Sequence, residues 1–359
     1  GVFKAAFASN VTSVSLDFAA NDYYDPNAYL EAYDSAGNKV ATATYAPTIP
    51  QLTSITLTVS ASNISYVLAS FDLNGGNTGL IDNLRATLAT TPNYALTANS
   101  TGATTFGGVV GGSTALASLT TDAGGTVSLK SVTTTGAQSY GDDTVTLDGA
   151  YTTTNSAFTV DKAAILAGTS TVTTGSGAGN ILFSSTLDGT TVGGENLTLT
   201  AGTGNVTFTG AVGGTTRLGA IAIASAANVT ANAVTAASLT QTAGTGQTAL
   251  NGAVNTNAAA GVSLTTKGTI AIAAAGDITT TNGPVFLKAD NGITTAGDVT
   301  TTDDDVTFVS NTTLSGPVAV NTGSGEGHTL FLSTLDGTTA GSENLTLTAG
   351  TGNVTFTGA

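Results

Sequence analysis

The chain has 359 residues, 40% of them apolar and only 9% charged, and its 23 acidic against 8 basic side chains give a formal net charge of -15. That length exceeds one ordinary domain, and that apolar content supplies a continuous core, which excludes a disordered chain. With no basic patch to release phosphate counterions the chain is not expected to bind nucleic acid, and with no cysteine it forms no disulfide, thiolate metal site or thiol nucleophile.

The 46 glycines, the excess of Thr, Ala, Asn and Ser, and the lack of Met and Trp predict many short β-strands and tight turns instead of long helices. No run is long and apolar enough for a transmembrane span, so no direct membrane insertion of this segment is expected. Seven of the nine tyrosines precede residue 95, and none follows Tyr151. This shift divides the chain into two domains, 1–92 and 93–359, with Pro92 ending a strand-like run because it has no amide for a ladder.

In the first domain, alternation of apolar and polar residues predicts strands over 11–18, 28–33, 39–44, 55–59, 66–71 and 80–88, an antiparallel β-sandwich. Asp34-Ser35-Ala36-Gly37-Asn38 reads as a hairpin turn, with Asp opening it and Gly and Asn supplying positive φ. Its carboxylates supply hard oxygen ligands, and Asp22, Asp25 and Asp82 are the candidate set for calcium if the fold brings them together. Tyr23, Tyr24, Tyr29, Tyr33, Tyr45 and Tyr66 either pack the core or offer a platform on which a sugar stacks.

The second domain repeats itself. Residues 175–211 recur as 323–359, displaced by 148 positions with 31 of 37 identical. Within the repeat, Leu197-Thr198-Leu199-Thr200 and Val206-Thr207-Phe208-Thr209 alternate with period two, and Gly202 and Gly204 lie in the corner between them. Strand starts every nine or ten residues predict a parallel β-solenoid with three strands and roughly 25 to 30 residues per coil. The sequence stops directly after a strand, and the solenoid is expected to continue.

The units 194–211, Gly-Glu-Asn-Leu-Thr-Leu-Thr-Ala-Gly-Thr-Gly-Asn-Val-Thr-Phe-Thr-Gly-Ala, and 186–191, Thr-Leu-Asp-Gly-Thr-Thr, resemble bacterial filamentous-haemagglutinin-like and autotransporter-type β-strand-repeat surface proteins. The resemblance covers residues 100–359. It implies a right-handed parallel β-helix in an exported, extracellular or cell-surface protein that serves in adhesion, biofilm matrix or surface layers. The first 92 residues are similar to a jelly-roll module of bacterial surface proteins, carried by Tyr29-Leu30-Glu31-Ala32-Tyr33-Asp34-Ser35-Ala36-Gly37 and Ile81-Asp82-Asn83-Leu84. Such modules bind calcium or glycans, and Asp82 matches the acid before their last strand.

Candidate catalytic residues are few. His328 occupies the place of Asn180 in the earlier copy, which marks a surface turn, and Lys130, Lys162, Arg217, Lys267 and Lys288 are scattered along the sequence. Asp142-Asp143 and Asp303-Asp304-Asp305 sit at corners as further cation candidates, set against simple solvation. The sequence therefore predicts a structural or adhesive segment, not an enzyme. The alternatives are a filament, sheath or surface-layer subunit, which associates with itself or neighbouring surface proteins, and a calcium-dependent carbohydrate-binding protein.

Overall fold

The computed structural model describes residues 2–20, 27–46, 54–71, 79–88 and 94–358. Among them the fold is all-β with no helix, an antiparallel sheet followed by a parallel β-solenoid of about 11 turns. The chain forms two compact units, Gly1–Pro92 and Asn93–Ala359.

The first unit contains β1 (Val2–Ala20), β2 (Ala28–Tyr33), β3 (Lys39–Tyr45), β4 (Ser54–Phe71) and β5 (Gly79–Leu88), in the sheet order β3-β2-β4-β1-β5. The sequence pattern splits β4 in two because Ser60-Ala61-Ser62-Asn63 reads as a turn. Instead Ser60 pairs with Ser13 and Ile64 with Val11, so the ladder runs through. The price in regularity falls on β1, whose register slips between Ala6, Val11 and Ser13.

Those slips bend the sheet. On a flat ribbon Val2, opposite Ser70, and Phe18, opposite Ile55, stand at opposite ends, about 50 Å apart at ~3.3 Å per residue. Yet the rings of Phe18 and Phe71 meet edge-on with centroids 5.4 Å apart. The five-stranded sheet must therefore fold over at its bulges, so that its two halves face each other as a sandwich. Val14, Leu16, Phe18, Leu57 and Val59 from one half and Leu30, Ala32, Val67 and Ala69 from the other share one buried cluster.

In the second unit each coil contributes to three columns of stacked parallel strands. The first column runs from Ala95–Ala98 to Leu335–Gly337 and holds twelve strands. The second begins at Ala103–Phe106, passes through the bridges Leu187 to Val212 and Val212 to Val234, and ends at Leu345–Thr348. The third includes Ser170–Thr173, Leu197–Thr200, Val262–Thr266 and Val354–Phe356.

Coils are shorter than the strand spacing predicts. Thr248 stacks on Val229, 19 residues earlier, and Val206 on Ile181, 25 residues earlier. Some corners take only two residues, as Asn232-Ala233 does between Val229–Ala231 and Val234–Gln241. Side chains alternate buried and half-buried along most strands of the inner coils, and the inward ones pile into files. Phe158, Phe183 and Phe208 stack at 5.9 and 5.7 Å in the first column, and Phe308, Phe331 and Phe356 at 4.7 and 5.2 Å in the third. Each such burial stabilises by roughly 1.5–3 kcal/mol.

The duplicated segment changes column between its copies. Ile181–Phe183, Leu187–Gly189 and Leu197–Thr200 occupy the first, second and third columns. Their equivalents Thr329–Phe331, Leu335–Gly337 and Leu345–Thr348 occupy the third, first and second. The 148-residue displacement is therefore not a whole number of coils, and the unit that the fold accepts is the strand with its corner.

Candidate functional site

Within the sandwich, Asp82 lies in β5 directly opposite Asp17 of β1. The two carboxylates, with Ala19, Ser54, Leu80, Ile81 and Asn83, line a cavity of about 270 Å³. Asp22 and Asp25, the other calcium candidates, lie outside the described residues. Asp17 already has its partners. Thr56 Oγ1 donates to Oδ1 at 2.5 Å and Asn83 Nδ2 to Oδ2 at 2.9 Å, while Arg85 stands 3.6 Å away. The Thr56 and Asn83 hydrogen bonds, aided by Arg85, hold this carboxyl below the usual aspartate range. Asp82 Oδ1 accepts the amide of Asn83, which adopts a left-handed φ of 51°. Among the described residues no three carboxylate or histidine side chains gather around one metal position.

The tyrosines divide. Tyr23 and Tyr24 lie outside the described residues, whereas Tyr29 and Tyr33 face outward from β2, on the side opposite Leu30 and Ala32. Tyr33 and Tyr66 stack in parallel at 5.0 Å, and Lys4 places its ammonium 4.1 Å from the Tyr66 ring centre. Because β4 lies between β2 and β1, these two neighbours cover opposite faces of Tyr66, leaving no face for a sugar. Tyr33 also donates to Glu31 at 2.9 Å, and Lys39 donates to the same carboxylate at 2.8 Å. Tyr45 is exposed at the end of β3.

Along the solenoid, corner carboxylates and amides are consumed by the adjacent coil. Asp303 Oδ1 accepts from Gly325 N at 2.5 Å, Asp304 Oδ2 from Gly283 N at 2.8 Å and Asp305 Oδ1 from His328 N at 2.8 Å. The three adjacent acids thus cap backbone on the coils either side of them. Asp142 is buried under the Thr121 hydroxyl, which donates to it. His328 Nδ1 accepts the Asn353 amide at 2.8 Å, as Asn180 Oδ1 accepts the Asn205 amide at 2.8 Å. The same contact continues from Asn228 to Asn205 and from Gln247 to Asn228.

Two features escape a reading of the sequence. The first is a clasp in which Glu195 accepts from Thr190 Oγ1 at 2.7 Å and Thr191 N at 3.0 Å, reproduced by Glu343 with Thr338 and Thr339 at 2.6 and 3.1 Å. Burial pushes the Glu195 carboxyl upward, but the hydrogen bonds from Thr190 and Thr191 outweigh it and hold the group below the usual glutamate range. The second is a cavity of about 220 Å³ lined by Lys267, Lys288, Asp290, Thr242, Ala243, Gly244, Thr265 and Thr266. Lys267 and Lys288 are 21 residues apart, which looks scattered until the coil length is known; one coil brings them together.

Stacked parallel coils behind an antiparallel sandwich define a β-solenoid protein. No protein-family model, curated protein or solved structure matches the chain, so its class rests on the fold.

Proposed function

We propose that this chain is a structural segment of an extracellular cell-surface protein of adhesive type, in which the solenoid serves as a shaft and no reaction is catalysed. One observation carries this reading. The corner side chains with hydrogen-bonding chemistry, Asn180, Asn205, Asn228, Asp303, Asp304, Asp305 and His328, are committed to the backbone of neighbouring coils. Groups held this way stiffen a stack and are not free to move protons at a substrate.

Pulling the full chain by its ends in a force spectrometer tests the shaft. Coils that support one another should give way in steps of one coil or small groups of coils, and a single featureless extension at low force would overturn the reading. Beads coated with the full chain should be retained on cell surfaces more than uncoated beads. Equal retention removes the adhesive part, and release of sugar products from a polysaccharide removes the non-catalytic part. Regular side-by-side or end-to-end assemblies in electron micrographs would instead select a filament subunit.

A further inference from the structure

We propose that the cavity formed by Lys267, Lys288 and Asp290 on the third column of the solenoid, with Phe286 beside it, binds the carboxylate-bearing sugar unit of an acidic polysaccharide. Thr265 pairs with Lys288 and Thr266 with Ala289 on adjacent coils, which sets Lys267 beside Asp290. Strands ~4.8 Å apart bring all three charged groups within the span of one sugar ring.

What distinguishes these lysines is their lack of employment. Lys39, Arg85 and Lys130 pair with carboxylates, Arg217 donates to the carbonyls of Ala236 and Asn255, and Lys4 covers Tyr66. Lys267 and Lys288 are exposed, and among the described residues neither ammonium has a hydrogen-bonding or ion-pair partner. On a chain of net charge -15, two unpaired ammonium groups in one cavity make a local attractor for an anion. Screening over about 8 Å at physiological salt separates them from more distant acids.

Phe286 supplies the second kind of contact. It is 36% exposed, on the same outward face of its strand as Lys288. Its register neighbours on the adjacent coils are Ser263 and Thr307, too small to cover the ring. An apolar wall beside a few convergent polar groups is the make-up of a ligand site. The carboxylate meets Lys267 and Lys288, the C–H face of the sugar ring lies on Phe286, and Asp290 and Thr265 take hydroxyl groups. The floor adds another group. Gln241 is buried and its Nε2 has no hydrogen-bond partner, while a Cβ on the cavity residue Gly244 would lie 2.6 Å from that atom.

The test is calorimetric titration of the full chain with a uronic-acid tetrasaccharide and with the same tetrasaccharide after reduction of its carboxyl groups. Saturable binding of the acid form alone is expected. Lys267→Ala and Lys288→Ala should each weaken it about tenfold, the loss of one charge-assisted contact, and Phe286→Ala about three- to tenfold. Lys162→Ala should leave it unchanged, and circular dichroism of each variant checks that the coils are intact. Equal binding of both tetrasaccharides, binding of neither, or unchanged affinity in well-folded lysine variants would overturn the proposal. It goes beyond the shaft reading: beads that are retained on cells while the tetrasaccharide fails to bind would remove this site and leave the shaft standing.

Discussion

The sandwich and the solenoid bury their apolar residues by opposite routes. In the sandwich β1 meets β5 with Phe18 opposite Ile81, and the core closes only when a bent ribbon brings Phe18 onto Phe71. In the solenoid each strand meets its partner only 19 to 25 residues away, as at Val229 and Thr248 or Ile181 and Val206. Distant contacts make a unit that forms or fails as a whole, whereas neighbour contacts make one whose stability adds up coil by coil.

The sharpest way to break this comparison is Phe18→Ala. It removes the ring that joins the two halves of the sheet, at a cost of about 3–5 kcal/mol. Since seven of nine tyrosines precede residue 95, tyrosine fluorescence in a denaturant titration should show the sandwich transition moving to lower denaturant. The later far-ultraviolet transition of the solenoid should stay in place; a joint shift would show that the two units are coupled.

Two glycines compare the regions at closer range. Gly202 has a φ of 56°, and a Cβ there would meet the Gly175 carbonyl oxygen of the coil below at 2.5 Å. Gly202→Ala should therefore cost more than about 2 kcal/mol, from left-handed strain and overpacking together. Gly37 has a φ of 84° in the Asp34–Asn38 turn, but its Cβ would meet only the Tyr66 hydroxyl at 3.9 Å. Gly37→Ala should cost about 1–2 kcal/mol, from strain alone. Thermal melts of both variants check the ordering.

Acid affects both regions in the same direction. The folded-state carboxyls of Asp17 and Glu195 are lowered, from ordinary values of 3.8 and 4.5. Their contribution is complete above those values and is lost as pH falls through the lower folded ones. Asp17→Asn should flatten the pH dependence of sandwich stability below pH 3.8, and Glu195→Gln that of the solenoid below pH 4.5, as read from denaturant midpoints. The smallest effect belongs to His328→Asn. It restores the acceptor found at Asn180 and should change solenoid stability by less than about 0.5 kcal/mol.

The solenoid was readable because its signal is local and repeated. Leu197-Thr198-Leu199-Thr200 alternates in sequence as it alternates in burial, and the turn Asp34–Asn38 forms as its residues require, with Asp34 Oδ1 accepting from Ala36 N at 3.0 Å and Asn38 N at 2.8 Å. Coil length was less readable, because a corner as short as Asn232-Ala233 leaves no turn signature. The bend in β1 and β4 was invisible, since it depends on where Phe18 and Phe71 meet and not on any residue at Ala6 or Val11. The cavity at Lys267 and Lys288 was missed for the same reason as the coil length; without the period, 21 residues is only a distance.

The change of column between the two copies of the duplicated segment bears on how such a shaft meets its surroundings. The clasped loops after Leu187–Gly189 and Leu335–Gly337 project from different edges. Each further 148-residue unit laid down with the same offset would turn the pattern by another third of a revolution, so that only the fourth copy looks the same way as the first. Lengthening by this route distributes identical surface features around the axis like the treads of a spiral stair. No flank accumulates them, and a long array gains reach in every azimuth without acquiring one sticky side.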